Sequence, residues 1–314
     1  MTTASGRTGG KDAERRRRHR QNVHLVAVDN RDTTAAGGGA GARTVTVSGQ
    51  DLRIWTRPGA PGRTPLVVCS GIGTGYALLM PFIDALDPGI PVIAFDVPGI
   101  GGSPMPRLPY RFPTLAKLVG AMVRHLGYER FDVLGISWGG GLAQQLAFQN
   151  PRRCRRVVLV ATGTGALMVP ARPNVLLTMA TPRRHRDPDY LLSVAPKIYG
   201  GQARHHADLV ARLAHARSVG PVSRRGYAYQ LLAGAGWTSL PFLPAVRQPV
   251  LILAGDDDPL IPLANAWLMK ALLPHGSLYV YHDGHLGLVT SRDVLGPVVA
   301  DFLNSAHGLL EEAG

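Results

Sequence analysis

Cysteine is nearly absent: Cys69 and Cys154 are the only two in 314 residues. Two thiols are too few for a disulfide framework, and so sparing a use of cysteine fits a cytoplasmic protein with reduced thiols. Long hydrophobic runs are absent as well. No stretch reaches the ~18 consecutive apolar residues of a membrane helix. The N-terminus, "MTTASGRTGGKDAERRRRHRQ", is basic but has no apolar segment of signal-peptide length behind it. Aromatic residues make up only 6% of the chain. Acidic residues are outnumbered, with 34 Lys and Arg against 21 Asp and Glu, a net charge of +13.

Part of that excess is local. Residues 1–44 hold nine Lys/Arg and four Asp/Glu, an excess of five. The run "RRRRHR" has the charge to touch an anionic surface or nucleic acid, but a solvated, disordered basic tail is the preferred reading. Nucleic acid is therefore not expected as a partner. "AAGGGAGA" (35–42) reads as a flexible joint. Residues 1–42 are read as the tail, and the ordered chain is expected from about Arg43.

Beyond it, "RTVTVSG" and "QDLRIWTR" alternate apolar and polar residues at period two and read as a hairpin. Then come short runs that are apolar throughout: "TPLVVCSG", "PVIAFDVPG", "FDVLGIS" and "VVLVAT", separated by helical segments. Strands apolar on both faces belong to a parallel sheet covered by helices on both sides. The alternation stops after the fourth of these strands and resumes at "PVLILAG" (249–255). The fold class is thus α/β, with a core of 43–162 and 246–306. Residues 163–245 form a helical insertion placed as a cap over the C-terminal strand ends.

"GISWGGG" (135–141) surrounds one serine with four glycines at the junction of a strand and a helix. The pentapeptide Gly135–Gly139 fits G-x-S-x-G, a sharp turn that holds the Ser137 hydroxyl above the sheet and leaves no room for neighbouring side chains. The plain alternative, an N-capping serine in a glycine turn, does not explain the other groups that follow. A serine nucleophile needs a base and an orienting carboxylate. "LILAGDDDPLIP" supplies Asp256, Asp257 and Asp258 just past a strand. Asp258 lies furthest along the loop and is preferred, while Asp256 and Asp257 remain available to bond the turn or cap the next helix. "YHDGHLGLV" offers His282, still within the strand pattern, and His285, on the loop after Gly284; His285 is the expected base. His275 falls on the far side of the sheet, and His185, His205, His206 and His215 in the insertion lack metal-ligand spacing. Backbone N–H groups of Trp138 and of Ile72, in "SGIGTG", are expected to form the oxyanion hole. That loop lacks the G-x-G-x-x-G pattern of a dinucleotide site. No metal or organic cofactor is called for.

Further segments give the chain a family resemblance. "FDVPGIGGSPMPRLPYRFP", "VLVATGTGALMVP", "ATPRRHRDPDYLLSVAPKIYGG", "QLLAGAGWTSLPFLP" and "DGHLGLVTS", together with the elbow, resemble the intracellular polyhydroxyalkanoate depolymerases of the α/β-hydrolase superfamily. The resemblance runs from about Arg43 to Phe302. It implies an α/β-hydrolase fold and a catalytic Ser137, Asp258 and His285. The implied reaction is hydrolysis of a 3-hydroxy acid polyester through a hydroxyacyl-enzyme, on storage granules in the cytoplasm. Leu167, Met168, Trp237 and Phe242 are the expected substrate contacts in the cap; core packing is the competing explanation for each. Ser70 stands where the wider superfamily often has histidine, and the basic tail has no counterpart in the family pattern. Small-ester carboxylesterases, lactonases and perhydrolases share the same motifs. A non-catalytic granule protein on this scaffold is a further alternative, which the complete Ser–Asp–His set disfavours. Ser137 where an aspartate nucleophile would be needed argues against dehalogenase and epoxide hydrolase chemistry.

Overall fold

The computed structural model describes residues 40–180, 187–205, 210–211 and 223–305. The basic run and His185, His206 and His215 lie outside the described residues. Among these, an eight-stranded sheet runs in the order β1-β2-β4-β3-β5-β6-β7-β8. Strands β1 (Gly41–Val47) and β2 (Gln50–Arg57) form the expected hairpin. Its two loop residues, Ser48 and Gly49, both have positive φ, 51° and 75°, which lets a two-residue loop follow the strand twist. Strand β1 starts at Gly41, so Gly41 and Ala42, read above with the tail, pair with Thr56 and Trp55.

β2 joins β4 (Val92–Phe95) antiparallel, and every later pairing is parallel. These are β3 (Leu66–Cys69), β5 (Phe131–Ile136), β6 (Cys154–Val160), β7 (Val250–Gly255) and β8 (Gly276–Tyr281). The apolar runs are explained by what lies on each face. Leu66, Val68, Leu134 and Ile136 point to one core, under Phe82 and Ile83 of α1 (Met80–Ala85) and Val299 and Phe302 of α9 (Arg292–Asn304). Val67, Cys69, Phe131 and Val133 point to the other. There they meet Val119 of α2 (Phe112–His125), Leu142 of α3 (Trp138–Gln149) and Met269 of α7 (Ala264–Leu272). Burying each such side chain contributes ~1.5–3 kcal/mol, so a polar residue at any of these positions on either face would be costly.

Between β6 and β7 the chain carries α4 (Pro173–Ala180), α5 (Pro188–Tyr199) and α6 (Arg224–Gly234). Beyond β8 a short α8 (Gly287–Thr290) precedes α9. No helix among the described residues is long and apolar enough to cross a membrane.

Candidate active site

Ser137 sits between the end of β5 and the first turn of α3, with φ 55° and ψ −121°. Such backbone costs a residue with a side chain ~1–3 kcal/mol and persists only where its surroundings enforce it. Here the Ser137 N–H donates to the Val160 carbonyl (2.9 Å). The Ser137 carbonyl accepts from the Gly140 N–H (2.8 Å) and the Thr162 hydroxyl (2.7 Å). The flanking glycines are required by close approach. A Cβ on Gly135 would collide with the Gly139 carbonyl, one on Gly139 with the Cys69 carbonyl, and one on Gly140 with Thr162. The elbow is therefore wedged between β3 and the end of β6, and only glycine lets it in.

Ser137 Oγ lies 3.1 Å from His285 Nε2, and His285 Nδ1 lies 2.8 Å from Asp258 Oδ2. A carboxylate only accepts, so Nδ1 carries the proton and Nε2 presents its lone pair to the serine hydroxyl. Both partners of the inner pair are buried, with side-chain exposures of 7% for His285 and 1% for Asp258. Asp258 is fixed by its other oxygen, Oδ1, which accepts the N–H groups of Leu260 (2.8 Å) and Ile261 (2.9 Å).

The neighbouring acids and histidine go elsewhere. β8 ends at Tyr281, so His282 is the first residue past the strand rather than within it. Its side chain is 97% exposed and meets Asp256 at 2.5 Å. Asp257 pairs in a fork with Arg204 at 2.8 Å and accepts the Gly201 N–H. Arg204 holds the Asp257 carboxyl below the usual carboxylate range. Cys69 and Cys154 are buried, and burial pushes both thiols far up, which removes them as nucleophiles at neutral pH.

Two residues that the sequence reading passed over position the base. Tyr199, at the end of α5, accepts the His285 N–H through its carbonyl (2.7 Å), and its ring stacks on the imidazole at 6.2 Å and 13°. Asp283, 3% exposed, accepts from the Gln202 and Gly284 N–H groups and from the hydroxyls of Thr290 and Ser291. It thereby pins the histidine loop to the insertion and to the start of α9. A buried aspartate two residues before the histidine was the available signal, but its four partners are assembled only in the fold.

A cavity opens over Ser137 and His285. Its floor includes Gly71 and Ile72, and its walls are apolar: Leu78, Leu79, Met179, Leu260, Leu286 and Val289. The N–H groups of Ile72 and Trp138 have no acceptor among the described residues. They are free to receive an oxyanion. None of the four residues expected to contact substrate is among those that line this cavity. Leu167 is 64% exposed. Met168 packs beside Gly163. Trp237 donates to Gln145 Oε1 (2.7 Å) and packs on Phe112, and Phe242 stacks on Phe148 at 4.5 Å. Contacts with α2 and α3 take up part of these two half-buried rings, and the cavity wall is mainly aliphatic, with Tyr199 as an aromatic member. Among the described residues no group of three or more His, Cys, Asp or Glu is placed to hold a metal ion.

Residues 64–290 match the family described as alpha/beta hydrolase fold. The chain is 49% identical over 261 residues to a poly(3-hydroxyalkanoate) depolymerase from Ectopseudomonas oleovorans, covering 83% of this chain and 92% of that one. It is 26% identical to 3-oxoadipate enol-lactonase 2 of Acinetobacter baylyi, covering 78% and 90%. Among solved structures, the enol-lactonase from Burkholderia xenovorans LB400 superposes with a TM-score of 0.71 at 22% identity, covering 84% of this chain and all of that one. A shared fold alone would leave the chemistry open, but 49% identity over 83% of this chain and 92% of the depolymerase goes beyond a shared fold. The chain belongs to the α/β-hydrolase family, as a relative of a poly(3-hydroxyalkanoate) depolymerase.

Proposed function

We propose that this protein is a serine hydrolase that cleaves the ester bonds of poly(3-hydroxyalkanoate) and releases 3-hydroxy acids or their oligomers. The observation that carries the reading is the buried relay from Ser137 through His285 to Asp258, opening into an aliphatic cavity. Ser137 Oγ attacks the ester carbonyl carbon as His285 Nε2 takes its proton. Asp258 holds the tautomer and stabilises the imidazolium. The carbonyl oxygen becomes an oxyanion between the N–H groups of Ile72 and Trp138. When the ester C–O bond breaks, the imidazolium returns the proton to the departing alkoxide, leaving a hydroxyacyl-Ser137. Water, deprotonated by His285, then releases the acid. The insertion acts as a cap over the site, and its apolar cavity wall suits a polyester backbone. Association with storage granules follows from the substrate.

The experiment is product analysis after incubating the purified protein with short-chain and medium-chain polymer granules, beside soluble p-nitrophenyl esters. Release of 3-hydroxy acids from granules is expected. Turnover of small esters or lactones with no release from granules would transfer the protein to the carboxylesterase or lactonase reading. Absence of labelling at Ser137 by a fluorophosphonate probe would instead point to a non-catalytic protein.

The adjacent aspartates give a sharp internal control. Asp258→Asn should lower kcat by ~10⁴, because the amide favours the wrong histidine tautomer. Asp257→Asn should leave kcat/KM within about fivefold, since an exposed ion pair is worth ~0–1 kcal/mol. Because the folded Asp257 pKa is depressed, its pairing stabilises the protein above the usual carboxylate pKa, ~4, and is lost as the pH falls through the lowered value. Thermal melts of wild type and Asp257→Asn should therefore differ slightly at pH 7 and converge in acid.

A further inference from the structure

Gln230 lies on α6, 0% exposed, and reaches both halves of the oxyanion site. Its side-chain Oε1 accepts the N–H of Gly73 at 2.7 Å. Its main-chain carbonyl accepts the indole Nε1–H of Trp138 at 2.9 Å. The first contact bridges 157 residues of sequence and the second 92. The facing N–H fixes which way round the amide sits, since an NH₂ group in that place would set donor against donor. The Nε2 donor has no partner among the described residues. The side chain is thus buried for its one acceptor.

The loop that receives this contact is short and turned back on itself. The N–H and hydroxyl of Thr74 both donate to the Gly71 carbonyl, at 3.3 and 2.9 Å. Ile72 and Gly73 are left at the apex, with Gly73 at φ 67°. Taking the Gly73 N–H fixes the plane of the Ile72–Gly73 peptide. One end of Ile72 is set by that plane and the other by the turn, whose Gly71 carbonyl belongs to the same peptide as the Ile72 N–H, and Ile72 lines the cavity over Ser137. Gly71, on the same loop, would bring a Cβ to 3.8 Å from Ser137 Cβ, so a small rotation of the apex changes the donor's distance to the reacting carbon. Anchoring the Trp138 ring to the same residue ties the second donor to the first.

We propose that Gln230 is a positioning residue for ester hydrolysis: its side chain holds the loop that carries the Ile72 donor, while its main-chain carbonyl holds the ring of Trp138, the residue of the other donor. The inference rests on the function proposed above. It makes the insertion part of the catalytic geometry as well as a cover. Donors aimed at developing charge act in the transition state and not in the ground state, so a residue that aims them should affect kcat and leave substrate binding alone.

The test is Gln230→Met in the full-length protein. Methionine keeps the volume, removes the acceptor, and also removes the unpartnered Nε2, so the fold is not asked to bury an extra orphan on the side chain. With p-nitrophenyl butyrate, kcat should fall by about 10–100-fold with KM nearly unchanged, less than the ~10²–10³ lost when an oxyanion donor is deleted outright. A trifluoromethyl ketone adds to Ser137 as a tetrahedral hemiketal whose oxyanion needs the same donors. Its inhibition constant should rise by the same factor as kcat/KM falls. An uncleavable ether analogue of the substrate should bind both proteins alike. Equal affinity of both proteins for the ketone would overturn the proposal, as would a parallel loss of ether binding. If the variant does not fold, amide hydrogen exchange at Gly73 in the wild-type protein decides: strong protection supports the anchor, and free exchange removes it. Failure of the underlying function would look different, as absence of turnover and of Ser137 labelling in the wild type.

Discussion

Replacing Ser137 with alanine is expected to abolish ester hydrolysis, with kcat falling by ~10⁴–10⁶, while the protein stays folded. The two halves of this expectation have separate causes. The hydroxyl is the atom that forms the acyl bond, and no second nucleophile lies at hand, because Cys69 is buried and its thiol is pushed up by burial. Stability is set by the backbone of the elbow. Serine and alanine carry the same Cβ at φ 55°, so the local strain is unchanged, and the main-chain bonds to Val160, Gly140 and Thr162 remain. What is lost is one hydrogen bond to His285, worth ~1 kcal/mol, which in a protein of this size moves Tm by about 1–2 °C. Steady-state kinetics and a thermal melt on the same preparation check both. Residual turnover above a few per cent, with contamination excluded, would remove Ser137 from its role.

The two histidines three residues apart should respond in opposite ways. His285→Ala should resemble Ser137→Ala, since members of a catalytic unit cost about as much singly as together. Without the imidazole the serine keeps its proton, and Asp258 is left as a buried carboxylate with two N–H donors but no imidazole to orient. His282→Ala should retain kcat within about twofold, as exposed substitutions away from special features change little. Its ring is almost wholly in solvent, and its partner Asp256 is itself partly exposed. Activity of both variants on one soluble ester is sufficient. If His282→Ala were the dead variant, the position of the β8 end and of the loop beyond it would have to be redrawn.

The features legible in the sequence were those with a local cause. Apolar runs such as "LVVC" and "FDVLGI" read as doubly covered strands because each residue, whichever way it points, meets a core. The glycines around Ser137 read as an elbow because close backbone approach leaves its mark on adjacent positions. The chain order serine, aspartate, histidine follows from the strands that carry them. Boundaries were less legible. β1 takes in Gly41 and Ala42, and β8 stops one residue before His282, because pairing with a neighbour, and not composition, decides where a strand ends.

Tertiary structure alone decided what stands around the nucleophile. Three consecutive aspartates are alike in composition, and they diverge only because one loop turns Asp258 inward, Asp257 to Arg204 and Asp256 to His282. Trp237 and Phe242 have the character of substrate contacts, yet their rings are taken up by Phe112, Gln145 and Phe148. The cavity wall comes instead from leucines, a valine, Met179 and Tyr199 on segments far apart in the chain. Gln230 gave no sequence signal, and Asp283 only its place two residues before His285, because a buried polar side chain is recognised by its partners, and those partners are brought to it from other elements of the fold. Local sequence carries backbone conformation and the period of burial. Which polar groups meet across the sheet edge depends on how the insertion settles over the strands, and that is a property of the packed molecule.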